Sequence, residues 1–419
     1  MSRTIQNTVM GFQHMFVMFG ATVLVPILTG LNISVALFAS GVGTLIFHLV
    51  TQRKVPVYLG SSFAFIPAII AISTAQGGSL SQACGGIVIA GLMYIVVAII
   101  FRFIAFETIY RILPPHVTGP MIILIGLILA PVAVSNANGS NSPALVNAVG
   151  VAGCWGIAAA TLVTGIFIKI GLQRWGFRFL STLPVLFALA AGYLLSLALG
   201  IVNVDLIRQA QWIGLPAFSL PEFNLRAISI AVPIAIVTMV EHFGDILAIG
   251  NVVGKDFIKD PGIHRTLIGD GLATSVSALL GGPANTTYSE NTGAVALTGN
   301  YNPIVMRIAA GFAILLSMVP KFGAVITAIP VPVVGGISIL LFGMIASVGI
   351  KTMVDHHVDL QNPKILIVTS AMLVLGLGGA EFTLGPVRLC GLGLAAIIGI
   401  ILNLLLGAET KAKPGDKNK

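Results

Sequence analysis

The chain has 419 residues, of which 56% are hydrophobic and only 9% charged, with a mean hydropathy of +1.01 and a formal net charge of +8. A soluble domain carries about 25% charged residues on its surface, so this composition excludes a water-soluble fold. The three cysteines, Cys84, Cys154 and Cys390, lie far apart inside apolar runs and are read as packing residues, with no disulfide framework and no metal site. Soluble-enzyme motifs are missing too: there is no H-E-x-x-H, no G-x-S-x-G and no Walker A lysine.

Apolar runs of roughly 20 residues, the length of a spanning helix, recur from Phe12 to Leu406. They number about 14. Such runs, with 48 glycines and 21 prolines, suit closely packed or broken membrane helices. The polar start before Phe12 is short and no small-residue cleavage site follows the first run, so a removed signal peptide is not expected. Gln13 and His14 open the first span, where they could orient a site residue or cap the helix. The first irregular segment is residues 55–67, where Pro56, Gly60, Ser61, Ser62 and Pro67 sit within or against apolar sequence.

The most polar internal break is residues 202–226, an expected extracellular linker. It separates a first unit, residues 1–201, from a second, residues 227–407, with a basic tail at residues 408–419. Each unit holds about seven spans. An odd number per unit would place the two in opposite orientations, as in inverted-repeat transporters. Lys and Arg concentrate in alternate connections, around Arg53 and Lys54, Arg102 and Arg111, Arg174 and Arg178, Lys255 to Arg265, and Lys351 and Lys364, and again in the tail. The intervening connections around Thr29, Thr74 to Ser79 and Ser135 to Ser142 contain none, and the linker, with Arg208 and Arg226, is the exception. By the positive-inside rule both termini are cytoplasmic, which requires an even number of spans. The basic balance is therefore a topology signal, and nucleic acid is not an expected partner; membrane lipid is.

In the second unit, Glu241 and Asp245 lie in an apolar run and share one helical face. A carboxylate at the bilayer centre costs about 2.5–3.5 kcal/mol even on the lenient insertion scale, so these groups should face a cavity or a partner. Two adjacent carboxylates do not easily both ionise, so one should hold a proton. Asp270 is read as structural, and His356 and His357 as solvated. Residues 281–291 form the second irregular segment and end on Tyr288, Ser289, Glu290 and Asn291. Both irregular segments fall at about the third run of their unit. Interrupted segments at matching positions are the best sequence pointer to a midplane binding site.

The residues that close this second segment resemble the signature of the nucleobase/ascorbate transporter (nucleobase:cation symporter-2) family, with Glu290, Asn291, Gly293 and Thr298 in its fixed places. Gln13-His14 resembles the first-span motif. Residues 16–26, 58–65 and 260–265 resemble the family's bacterial uracil branch. The resemblance covers essentially the whole chain. It implies an all-α polytopic membrane protein of about 14 transmembrane segments in two inverted seven-span repeats. It further implies core and gate domains, short strands in the broken third and tenth segments, an elevator-type cycle and dimerisation through the gate. The implied activity is proton-coupled import of uracil across the cytoplasmic membrane, with the proton as coupling ion and no cofactor.

In that branch Glu241 and Glu290 match the substrate-binding carboxylates, Phe65 and Ser289 match positions offering backbone groups to the base, and Tyr288 lines the site. His14, Asp245 and Asn291 are expected in proton coupling or site support, and Phe342 on the gate face. The chemistry agrees: uracil offers two N–H donors, which ionised carboxylates can accept, while free N–H groups at the start of broken helices suit its carbonyls. The chain departs from the branch at Asp245, often histidine, and at Phe342, often tyrosine. The runner-up is a xanthine or purine permease of the same family, against which Glu290 counts because purine members commonly carry glutamine there. An anion exchanger on a related fold is the third reading; the acidic site would repel a bare anion.

Overall fold

The computed structural model describes residues 3–103 and 111–407, so the expected basic tail at 408–419 lies outside the described residues. Among them, seven helices are long and apolar enough to cross a membrane. A further pair, Ile304–Ser317 with Pro320–Thr327, is bent by 84° and makes an eighth if it counts as one span, and four further apolar helices are shorter.

In chain order the first half contains α1 (Arg3–Thr29), α2 (Ile33–Val50), β1 (Leu59–Ser61), α3 (Ile66–Ser73), α4 (Leu80–Phe101), α5 (Pro115–Ile128), α6 (Ala130–Ala137), α7 (Pro143–Ile166) and α8 (Pro184–Ala198). The short α9 (Val204–Gln209) lies in the polar connection. The second half contains α10 (Leu225–Val253), α11 (Ile263–Leu279), β2 (Asn285–Thr287), α12 (Ser289–Thr298), α13 (Ile304–Ser317), α14 (Pro320–Thr327), α15 (Val331–Asp355), α16 (Pro363–Leu377), β3 (Glu381–Leu384), β4 (Val387–Cys390) and α17 (Gly391–Leu405).

Helix starts follow local chemistry. The side chains of Asn32, Ser79, Asn224 and Asn362 each accept a first-turn N–H of α2, α4, α10 and α16. At its other end α10 stops at Gly254, whose φ of 73° no branched residue would adopt cheaply.

The helices pack as two groups. One joins α2, α4, α11 and α13, with α1 against α13 and α10 against α4. The other is built around α15, which packs on α5, α6 and α7, with α16 against α17 and α8 against α7. Helix α10 touches both groups, through α4 on one side and α17 on the other. One close crossing within the first group is α4 over α11: a Cβ on Gly91 would lie 2.6 Å from Gly271 O and 2.3 Å from Ser275 Oγ. Small residues let these backbones approach, which is how helices gain contact in a solvent as apolar as themselves. Ser275 Oγ then donates to Val88 O at 3.0 Å across the same crossing.

The polar connection is held down along its length. Gly214 N donates to Met318 O, Ser219 N to Leu280 O and Glu222 N to Ser81 O. An antiparallel hairpin, β3 with β4, precedes α17 and places Glu381 opposite Cys390. Arg388 forks onto both carboxylate oxygens of Glu381, and its backbone N–H donates to Ser229 Oγ at 2.9 Å. This hairpin corrects the expectation that all three cysteines lie inside apolar runs. Cys84 and Cys154 are buried in helices, but Cys390 ends a strand and is only half-buried. The hairpin is masked in the sequence by its short strands, which abut the apolar runs on either side.

Candidate functional site

The site is built on the two irregular segments. Strand β1 pairs antiparallel with β2, with Leu59 opposite Thr287, Gly60 opposite Thr286 and Ser61 opposite Asn285. Ser62 N extends the pairing to Ala284 O at 2.8 Å. A two-stranded ribbon inside a membrane protein leaves two open edges, and each unpaired backbone group there would cost several kcal/mol. Helix side chains take up edge groups at Leu59 and Asn285, and the strands' own side chains tie the ribbon to helix carbonyls. Thr44 Oγ1 accepts from Leu59 N at 2.9 Å, Thr274 Oγ1 donates to Asn285 O at 2.8 Å, and Ser61 Oγ donates to Thr22 O at 3.0 Å. Asn285 Nδ2 donates to Ala39 O at 3.1 Å.

Each strand runs into a half-helix. After β1 a 3-10 turn, Phe63–Phe65, leads into α3; after β2, Tyr288 is the extended residue that precedes α12, with no side-chain cap. The first N–H groups of both half-helices have no intrahelical acceptor and carry the positive end of the helix dipole. Glu290 sits in the first turn of α12. Tyr288 lies flat on β1 and donates its hydroxyl to Ser61 O. That position requires Gly60, where a Cβ would fall 2.3 Å from Tyr288 Cε2.

These elements border a cavity of about 580 Å³. One end is formed by Phe63, Glu241, Asp245, Tyr288 and Glu290; the other end reaches Lys351, Thr352, Asp355 and His356 at the C-terminal end of α15. Walls come from α10 on one side and from α5 and α15 on the other, so the cavity lies between the two helix groups. Its volume is that of a small-molecule site. Glu290 is exposed to it, Glu241 is half-buried, and Asp245 is 5% exposed. Asp245 accepts from Thr287 Oγ1 at 2.8 Å. Glu241 is within electrostatic reach of Asp245, Glu290 and Asp270.

Of the residues singled out in the sequence, Glu241, Glu290, Asp245 and Tyr288 therefore meet at one cavity. Ser289 is the first residue of α12, which puts its backbone N–H at the helix start. Phe65 has a fully buried ring and is not in the lining; its backbone lies in the turn that opens α3. His14 and Asn291 stand behind the lining. His14 is buried beside Asn291 without closing a hydrogen bond, and Asn291 Nδ2 donates to Pro56 O at 3.3 Å. Phe342, on α15, is 2% exposed and meets the edge of Phe63 at 6.3 Å between ring centroids, so it is where the second helix group touches the broken segment.

Sequence reasoning passed over Phe63. Its ring lines the cavity and lies 6.2 Å from that of Tyr288. Ser62-Phe63-Ala64-Phe65 offers two equivalent phenylalanines, and only the phase of the 3-10 turn decides which one faces inward. Thr287 and His242 were missed as well: Thr287 reads as one more hydroxyl of an irregular stretch, yet it is the group that holds Asp245.

The comparisons agree with this architecture. The model of the Permease family matches residues 5–384. A protein of Pasteurella multocida (strain Pm70) described as a probable uracil permease is 43% identical over 409 residues, covering 98% of this chain and 95% of its own. The uracil permease of Bacillus caldolyticus is 43% identical over 412 residues, with 96% and 92% covered. Among solved structures, that of SLC26A9 aligns with a TM-score of 0.71 at 12% identity; it covers 96% of this chain, which spans 65% of that longer one. The last likeness speaks for the fold alone, a polytopic membrane architecture of core and gate. The chain belongs to the Permease family of nucleobase/ascorbate transporters and is a membrane transporter, not an enzyme.

Proposed function

We propose that this protein is a proton-coupled symporter that imports uracil across the cytoplasmic membrane, with Glu241 and Glu290 accepting the two N–H groups of the base. The observation that carries the reading is the convergence of two carboxylates and two half-helix N-termini at one end of a single cavity. Ionised carboxylates accept, and free backbone N–H groups donate, which is the complement of a pyrimidine edge with alternating N–H and C=O. Around Ser289 and Phe65 the groups offered would be backbone ones; Phe63 and Tyr288 supply flat faces against which a ring can stack. His14 and Asn291 would steady α12 from behind. The permeases named above support uracil as the cargo. No metal takes part in this scheme; the coupling ion is the proton.

The topology we infer has fourteen membrane segments. The eight crossings and four shorter helices, with α11 and the half-helix α12, supply that number among the described residues. The seven up to α8 and the seven from α10 onward would form the repeats at residues 1–201 and 227–407, joined by the extracellular linker at 202–226 and followed by the basic tail at 408–419. The broken segments with β1 and β2 then hold the third place of each half, as inverted repeats require. Both termini would be cytoplasmic. On that orientation the mouth at Lys351 and His356 opens inward. The core, built on α1, α2, α4, α10, α11 and α13, would carry the site past a gate built on α15, with Phe342 on the gate face; that gate could also pair two copies of the chain.

Uptake of labelled uracil into proteoliposomes tests the reading. An inward proton gradient should drive accumulation, a protonophore should abolish it, and unlabelled uracil should compete better than xanthine or adenine. Gradient-independent uptake, or xanthine as the stronger competitor, would refute it.

A further inference from the structure

Behind the cavity lies a polar chain that the binding of a base does not use. His242 and Asp270 are both fully buried, on α10 and α11, with His242 Nδ1 3.2 Å from Asp270 Oδ2. The same Nδ1 is 3.5 Å from Thr287 Oγ1, and Thr287 Oγ1 donates to Asp245 Oδ2 at 2.8 Å. Asp245 in turn lines the cavity. A single hydroxyl thus links a cavity carboxylate to an imidazole–carboxylate pair sealed from solvent. His242 Nε2 has no hydrogen-bond partner, and the ring of Phe47 stands across from the imidazole at 6.3 Å between centroids.

We propose that the transported proton resides on the His242–Asp270 pair and exchanges with the cavity through Thr287 and Asp245. This rests on the proton-coupled reading given above and deepens it by naming where the proton is held. The reasoning is one of charge. With a neutral imidazole and an ionised Asp270 the pair carries one negative charge in an apolar interior, which is costly. One added proton makes the pair neutral overall, whichever partner bears it. The step balances: His242 Nδ1 gives its proton to Thr287 Oγ1 as Thr287 gives its own to Asp245 Oδ2, so the pair loses one proton and Asp245 gains one. The reverse loads the pair from the cavity.

The surroundings make occupancy depend on the substrate. On α10 the pair faces Asp245 and, through Asp270, Glu241. From α4 comes Tyr94, which donates its hydroxyl to Thr238 and lies within electrostatic reach of Asp270 and Glu241. From the broken segment come Thr287 and, further off, Tyr288 and Glu290, both in the electrostatic field of the cavity carboxylates. From α2 there is the apolar Phe47. Glu241 must be ionised to accept a substrate N–H, and its charge favours a proton on the pair behind it. Base and proton thereby bind together without sharing an atom.

The test uses the full chain in proteoliposomes, with Asp270→Asn, His242→Gln, Thr287→Val and Thr287→Ser. With one proton per base, a gradient of one pH unit supports about ten-fold accumulation of uracil. Exchange of internal for external uracil needs no gradient and reports binding and movement of the core. The expected result is that Asp270→Asn, His242→Gln and Thr287→Val retain exchange but accumulate about one-fold, and that Thr287→Ser restores accumulation towards about ten-fold. If Asp270→Asn and His242→Gln prevent folding, the Thr287 pair decides alone. Undiminished accumulation in Thr287→Val refutes the chain, as does loss of exchange together with accumulation in Thr287→Ser. A wild-type protein that exchanges uracil but never accumulates it under the gradient refutes proton coupling itself, and the chain with it.

Discussion

Replacing Glu290 by glutamine changes charge and one donor while keeping shape, so it isolates what the carboxylate does. In the structure Glu290 faces the open cavity from the first turn of α12. A hydrogen bond to a charged acceptor contributes about 1.5–3 kcal/mol net, and one to a neutral acceptor about 0.5–1.5 kcal/mol. The difference is about 1–1.5 kcal/mol, or about five- to ten-fold in affinity. The new amide N–H₂ does not add much to this, because the side chain borders open cavity and can turn it toward water. The loss of a negative charge at a helix start costs about 0.3–1 kcal/mol of stability, too little to unfold the protein. Equilibrium binding of labelled uracil to purified protein, alongside thermal unfolding, measures both quantities. An affinity within two-fold of wild type in Glu290→Gln would remove the residue from the site. A large fall in unfolding temperature would mean instead that Glu290 is structural.

Further substitutions separate scaffold from site. Gly60→Ala forces a Cβ to within 2.3 Å of the Tyr288 ring, whose hydroxyl is already engaged on Ser61; about 1–3 kcal/mol of destabilisation is expected in thermal unfolding, together with weaker binding. Thr44→Val keeps the volume but leaves the buried Leu59 N–H without its acceptor, so it should cost about 1–3 kcal/mol of stability by chemical or thermal unfolding. Phe63→Ala removes a stacking face in the cavity lining, so binding should weaken by about 1–3 kcal/mol; because the ring is also buried against Tyr288 and Phe342, thermal unfolding should show a loss of about 3–5 kcal/mol, and an unaltered affinity in the folded variant would show that the ring does not meet the base.

How much of this was legible without coordinates depends on the type of signal. Membrane character follows from composition, because 9% charged residues cannot clothe a soluble surface. The paired irregular segments were readable because Gly and Pro have strong local consequences. Glu241 and Asp245 were readable as one face because helical periodicity is local. Phe63, by contrast, was indistinguishable from Phe65 in sequence, since both sit in the same short run and only the 3-10 turn resolves them. The β3–β4 hairpin is not legible in the sequence because its strands are only four residues each and abut the apolar runs of α16 and α17.

The acidic pair illustrates the division most sharply. By itself the sequence determined that Glu241 and Glu290 are carboxylates in apolar surroundings, on a helix and at the end of a broken segment. Those are properties of neighbours along the chain. Tertiary structure alone decided that the two segments, more than two hundred residues apart, pair as β1 and β2, that Thr287 bridges Asp245 toward His242, and that Phe342 on α15 packs against Phe63. Those contacts depend on how helices cross and strands register, and no local propensity encodes either. Asp270, read in the sequence as structural, gains its second meaning in the same way, from an imidazole 3.2 Å away on another helix.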